Sequence, residues 1–406
     1  MSQSNESAQS DVCAQAVHPA APRGLLVLLT AAAFLIFAQA FMIAPTLPRL
    51  AQVFHTNTGI VGLAVPAYLV PYGVMTLVWG PLSDRVGRRP VIIGSLVAFT
   101  ALTAATALTD SAGGFIAMRV ATAIGASGVV PISLALIGDV YPFHRRGRAL
   151  GWLFGGMAGG MAVGAAGGAM AEPAIGWPGL FLTAGAGGLV LLFAAVGTRA
   201  LPITPRPANV PPLRAVAAGY RGLLGSSRGR RTYSYVLINA VLQSGVYTWL
   251  GLYLQRRFGL GELGIGLTLL GYGIPGLLLG PVIGHLVDRY GRDRIIPAGV
   301  ALGATCALLL AVPLPRIAVQ ATVVALSLGY DMTQPPLGGI VTDLPGNRGQ
   351  AMGLNVFTLF TGLGLGSLLF QAALTSGFPV ALTAFGTGAL LAATLAVPLF
   401  RNERAR

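Results

Sequence analysis

Apolar residues in this chain run in blocks of about twenty, parted by short segments rich in Arg, Asp, Gly and Pro. Twelve such runs stand out, at 24–46, 59–82, 90–109, 114–141, 149–171, 178–198, 233–255, 263–287, 295–314, 317–342, 349–373 and 379–400. A helix of about twenty apolar residues crosses a hydrocarbon layer. Lipid leaves the backbone only helices or closed barrels, and these runs are too long for barrel strands. The pattern predicts an all-α membrane protein of twelve transmembrane helices, and the even number puts both ends on one side. Residues 200–232 break the rhythm with Pro202, Pro205, Pro207, Pro211 and Pro212, six Arg and no acid. They read as a basic linker, with a short surface helix near 213–224 that either lies on anionic lipid or serves as a solvated spacer. The expected units are an amino-terminal tail (1–23), a six-helix bundle (24–199), the linker (200–232), a second six-helix bundle (233–400) and a carboxyl-terminal tail (401–406).

The two bundles repeat one another. The string Gly80-Pro81-Leu82-Ser83-Asp84-Arg85-Val86-Gly87-Arg88-Arg89 returns as Gly284-His285-Leu286-Val287-Asp288-Arg289-Tyr290-Gly291-Arg292-Asp293, 204 residues later. The same offset carries Asp139 onto Asp343 and Gln39 onto Gln243. Arg146 to Gly151 resembles Arg348 to Gly353, with a two-residue gap. Such internal repetition in an apolar chain points to a transporter with its site between the repeats.

Composition agrees with lipid as the solvent. The chain has 406 residues, is 54% hydrophobic and 9% charged, and its mean hydropathy is +0.73. Soluble domains carry roughly 25% charged residues. The net charge of +14 is a matter of topology rather than of nucleic-acid binding. All 26 basic residues are Arg; 21 fall in the segments assigned to the side of the termini, four (Arg49, Arg256, Arg257, Arg316) on the other, and Arg119 inside a run. This bias places both termini in the cytoplasm of a cell, with the inner membrane as the expected location. Ala38-Gln39-Ala40 imitates a signal-peptidase site, but the long, nearly uncharged lead and the repeat argue for keeping the first helix. Cys13 and Cys306 are too few for a disulfide framework or thiolate metal site, and His18, His55, His144 and His285 share no ligand spacing. No metal or cofactor is expected.

The repeated strings resemble those of the major facilitator superfamily over about residues 24–400. Gly80 to Arg89 matches that family's signature between helices 2 and 3. Arg119 with Gly125 and Gly128 is similar to the helix 4 motif of proton-coupled members. Gly160, Gly164, Gly167 and Gly168 resemble the glycine-rich helix 5 motif of drug–proton antiporters, although Ala165 stands near the place of its proline. Gly176-Trp177 and Phe181 suit the helix 5–6 boundary. The resemblance implies two pseudo-symmetric bundles and, among branches, drug or metabolite efflux. It also implies a conformational latch at the signature, built from Gly80, Asp84, Arg85, Gly87, Arg88 and Arg89 with Asp139, and repeated by Asp288, Arg289 and Arg292. Asp84 would face the start of run 11 near Gly349 when that side is closed, and Asp288 the start of run 5 near Ala149. Alternatively these residues fix topology and solubilise a tight turn.

Two charges lie deep. Asp331 sits about 14 residues into run 10, ~21 Å along its axis, and Arg119 is the single deep base. A mid-membrane charge costs roughly 2.5–3.5 kcal/mol on insertion scales, so it usually faces a cavity or a partner. Asp331 either couples a proton to substrate movement or contacts substrate, or else it caps the break before Pro335-Pro336 or pairs permanently with an Arg. Arg119 either serves a proton site or an anionic group, or forms a buried structural pair. Gln39, Tyr68, Tyr72, Asn239, Gln243, Tyr247, Tyr272, Gln334 and Asn355 are the candidate cavity residues, each open to substrate contact or helix–helix hydrogen bonding. Their amides and phenols suit a neutral or amphipathic organic solute.

Gly362, Gly364 and Gly366 lie in an apolar run with no strand before them and make no nucleotide loop. With no ATP motif, movement must draw on a gradient. The expected function is proton-coupled export of a small organic compound (drug, sugar or metabolite) by alternating access, by a monomer with substrate, protons and membrane lipid as its partners and no nucleic acid. Uptake or facilitated diffusion is the alternative within the class. A non-transporting sensor or receptor would need a soluble signalling domain or a long sensory loop, and an enzyme a clustered catalytic set.

Overall fold

The computed structural model describes residues 22, 24–141, 143–198, 200–203, 212–346 and 348–403. Inside its helices, nothing is described of some side chains, mainly in 143–147 and 272–288. Tyr272 and Asp288 are among these, so both predicted roles lie outside the described side chains.

Helix α1 (Leu25–Phe41), a 3-10 turn (Ala44–Thr46) and α2 (Leu47–Val53) form the first membrane segment; α3 (Thr58–Gly62) and α4 (Pro66–Val86) form the second. Then come α5 (Arg88–Thr106), α6 (Ala112–Ala126) with α7 (Val129–Val140), and α8 (Phe143–Gly197). After α9 (Leu213–Gly225), the second half runs α10 (Ser227–Phe258), α11 (Glu262–Tyr290), α12 (Arg292–Ala311), α13 (Arg316–Asp331), α14 (Gln334–Thr342), α15 (Arg348–Leu374) and α16 (Phe378–Phe400). Among the described residues, eight helical stretches are long and apolar enough to cross a membrane, and one of them is 50 residues long.

Helix boundaries differ from the expected runs where local chemistry intervenes. Runs 5 and 6 are one helical stretch kinked at Gly176, whose φ of 67° and ψ of 165° leave helical geometry between Pro173 and Pro178. Run 4 is broken at Ser127-Gly128 and run 10 at Met332-Thr333. Ser127 and Asp331 are equivalent by the 204-residue offset, so the two breaks are one feature used twice. The signature turns also correspond. Gly87 (φ 109°) ends α4 and Gly291 (φ 87°) ends α11, both in the left-handed region that favours glycine.

Packing repeats as well. Gly160 and Gly164 of α8 lie against the backbone of α1, where an added Cβ would come within 2.3 Å of the Phe34 and Ala38 carbonyl oxygens. Gly362 and Gly366 of α15 lie in the same way against Leu237 and Val241 of α10. Close backbone approach of this kind is how small residues hold helices together in lipid. The two halves meet where α4 packs on α15 and α8 on α11.

Candidate functional site

The seam between the halves is sealed on the face away from the termini. Gln371 donates from Nε2 to the Gly59 carbonyl at 2.9 Å, the Trp249 ring abuts Gly62, and Gly251 abuts Pro45. Toward the termini, a Cβ added at Gly80, Gly151 or Gly155 would meet nothing within 4 Å.

Beneath the seal lies an aromatic layer spanning both halves. Tyr72 of α4 stacks on Phe360 of α15 with centroids 4.5 Å apart, and Phe37 of α1 meets Phe360 edge-on at 5.8 Å. Phe41 approaches Tyr247 across the seam at 6.5 Å, and Tyr68 lies beside Tyr72 at 5.9 Å. Sequence reading nominated the phenols and missed Phe37, Phe41 and Phe360. The i, i+4 spacing of Phe37 and Phe41, flanking Gln39, was an available signal.

Polar atoms without protein partners occur in this layer and elsewhere in the interior. Among the described residues, the buried amide of Gln39, the hydroxyls of Tyr68, Tyr72 and Thr122, Oδ1 of Asn355 and Nε2 of Gln334 have no hydrogen-bond partner. Leaving a buried donor or acceptor unpaired costs about 1–3 kcal/mol, so such atoms suit a site that a polar guest completes. Asn239 is different. Its Nδ2 donates to Thr333 Oγ1 at 2.6 Å, and that hydroxyl donates to the Tyr330 carbonyl at 2.7 Å. Asn239 thereby ties α10 to the break between α13 and α14, a helix–helix contact. In the first half a different contact reaches the corresponding break, from Trp79 Nε1 of α4 to Ser127 Oγ at 2.8 Å.

Arg119 is fully buried, and its partners are backbone carbonyls. It donates to Ala40 at 3.0 Å and to Gln39 and Ala64 at 3.4 Å, with its guanidinium 4.1 Å from the Tyr68 ring centroid. Gln39 and Ala40 belong to the last turn of α1, whose carbonyls lack helical partners and form the negative end of the helix dipole. Among the described residues no carboxylate lies within 4 Å of it. Arg119 therefore caps the break that ends α1 and stands under the aromatic layer. Asp331, in the other half, is the last residue of α13; its Oδ2 accepts from Ser327 Oγ at 3.2 Å. Among the described residues no basic group lies within 4 Å of Asp331.

At the termini face, Arg88 bridges Asp84 (2.7 Å) and Asp139 (3.2 Å), and Arg292 pairs with Asp343 (2.6 Å). The Arg88–Asp139 and Arg292–Asp343 pairs are related by the 204-residue offset. The Asp84 carboxylate thus engages its own half.

The chain matches the family model for the Major Facilitator Superfamily over residues 29–367 and 258–406. It belongs to that superfamily. A chloramphenicol resistance protein of Pseudomonas aeruginosa is 27% identical over 275 residues, which are 67% of this chain and 64% of that protein. The aligned stretch is thus a little under two thirds of that relative's length. The fold is also that of solved superfamily members. A bacterial homologue of the human lysosomal transporter Spinster, in an inward-facing and unoccupied conformation, superposes with a TM-score of 0.77 at 16% identity, covering 94% of this chain and 98% of that one. A D-xylose–proton symporter gives 0.75 at 17% identity, covering 92% and 96%. This superfamily member is accordingly a membrane transporter of the all-α, two-bundle fold.

Proposed function

We propose that this transporter exports a small, uncharged or amphipathic organic compound bearing an aromatic ring, driven by proton entry through alternating access. The observation that carries the reading is the aromatic layer with unpaired phenol, amide and hydroxyl groups at the seam between the halves. Ring faces at Phe37, Tyr72 and Phe360 favour stacking. Unsatisfied Gln39, Tyr68, Tyr72 and Asn355 favour a guest with both acceptors and donors. Export as the direction is supported by the likeness to a chloramphenicol resistance protein.

With the 21 arginines of the termini side in the cytoplasm, the sealed face is external and the conformation is inward-facing. Opening outward requires Gln371 to release Gly59 while the signature residues Asp84, Arg85 and Arg89 close the cytoplasmic side. Asp331 is the group assigned to proton coupling, being the deep carboxylate without a cationic partner among the described residues. A proton crossing 100 mV supplies about 2.3 kcal/mol, enough for tens-fold accumulation.

The test is uptake into inside-out proteoliposomes under an imposed pH gradient, with chloramphenicol-like aromatic solutes as probes. Wild-type protein should concentrate a probe when the lumen is acidic. Asp331→Asn should reduce concentrative transport at least tenfold while sparing downhill exchange. Full accumulation by Asp331→Asn removes that residue from the coupling step, and indifference of wild type to the gradient removes proton coupling altogether.

A further inference from the structure

Outside the transport seam, a cavity of about 210 Å³ opens where α10 ends, α12 ends and α16 begins. It is lined by Tyr253, Arg256, Arg257, Leu310, Ala311 and Phe378. That is well above the ~10–15 Å³ that one water needs, so a group larger than water can enter. Every lining residue belongs to the second half, so this cavity is separate from the substrate route between halves.

Its two arginines are held differently. Arg257 is fixed, donating to Tyr253 Oη at 2.8 Å and to the Leu314 carbonyl at 3.2 Å, while Tyr253 donates to the Leu310 carbonyl at 2.9 Å. Arg256 is exposed, with its guanidinium 5.9 Å from the Phe378 ring centroid. Among the described residues neither has a carboxylate within 4 Å. By contrast, Arg49, on the same face, pairs with Glu172 at 3.4 Å. Two adjacent arginines on the face that topogenic bias keeps poor in arginine call for an anion. The other walls are apolar. Close to the lining residues in sequence, Leu309, Val312 and Val380 are exposed apolar side chains.

We infer that this cavity binds the headgroup phosphate of an anionic phospholipid in the leaflet opposite the termini. Arg256 and Arg257 hold the phosphate oxygens, the Tyr253 and Phe378 rings flank the glycerol, and the chains lie along α12 and α16. Arg suits this task because its planar fork meets two phosphate oxygens at once.

The experiment is thermal denaturation of the purified protein in detergent, titrated separately with phosphatidylglycerol, phosphatidylcholine and inorganic phosphate. Native mass spectrometry counts bound lipid alongside. Phosphatidylglycerol should stabilise saturably, and R256Q should weaken that response about tenfold, the loss of one charge-assisted contact. Among the described residues Arg256 makes no hydrogen bond, so R256Q removes none. As a second variant, Ala311→Trp keeps both arginines and fills the cavity, and it should lose the lipid too. Arg214→Gln with Arg221→Gln on α9 should respond as wild type. The inference fails if inorganic phosphate or phosphatidylcholine matches phosphatidylglycerol, if R256Q and Ala311→Trp both respond as wild type, or if only the α9 variant loses the response.

Discussion

The two halves of this transporter share a skeleton and divide the chemistry. Equivalent positions carry the turn glycines Gly87 and Gly291, the pairs Arg88–Asp139 and Arg292–Asp343, and the helix breaks that contain Gly128 and Met332. The buried charges do not correspond. Arg119 in the first half answers to Val323 in the second, and Asp331 in the second answers to Ser127 in the first. The duplicated features are the ones that shape each bundle: its tight turn, its helix break and the ion pair beside that turn. The buried charges occur once each, Arg119 in the first half and Asp331 in the second. The carboxyl terminus adds a further asymmetry. Glu403 accepts from Arg228 at 2.8 and 2.7 Å and from Arg231, and Arg231 also donates to the Leu399 carbonyl at 2.6 Å. Gly24 and Val27 occupy the positions in the first half that match these arginines.

The strongest challenge to the symmetry is steric. Gly164→Leu and Gly366→Leu each drive a side chain into a carbonyl oxygen 2.2–2.3 Å from the added Cβ. Each should cost about 3 kcal/mol or more and yield aggregated protein on size-exclusion chromatography. A folded, active Gly366→Leu beside a collapsed Gly164→Leu would show that only one glycine seam is obligatory.

Arg119→Ala comes next and sharpens the asymmetry. It leaves three carbonyls unpaired in a dry interior, at about 1–3 kcal/mol for each group not rehydrated. Thermal stability in detergent should fall markedly and transport should be lost. Val323→Ala should cost about 1–2 kcal/mol of packing alone and retain transport. Equal losses at the two positions would mean that Arg119 does no more than fill space.

The smallest expected effect is at the terminal clamp. Burial acts to raise the Glu403 pKa, but the hydrogen bonds and charges of Arg228 and Arg231 outweigh it and hold the carboxyl below its usual range. A depressed folded-state pKa means the stabilisation is full above the ordinary carboxylate pKa and fades as pH falls through the lowered value. Glu403→Gln should therefore lower stability by about 1 kcal/mol at neutral pH. Melting curves of the two proteins should converge on acidification below the carboxylate range. A gap that persists in acid would assign the clamp to packing.

Much of this architecture is local and was readable in one dimension. Apolar length places helices in lipid, an Asp–Arg–Gly string marks a tight turn, and a 204-residue self-match marks a duplication, since each depends on neighbours along the chain. Arg119 and Asp331 were legible as costly charges for the same reason. Their partners were not, because a carbonyl at a helix end or a serine one turn away becomes available only after helices break and pack. Asn239 and Gln39 show this most plainly. Both are amides on inward faces, yet Thr333 satisfies one and nothing among the described residues satisfies the other. Which face is sealed, the aromatic layer across the seam and the arginine cavity likewise arise between residues more than fifty positions apart. Only the folded packing could decide them.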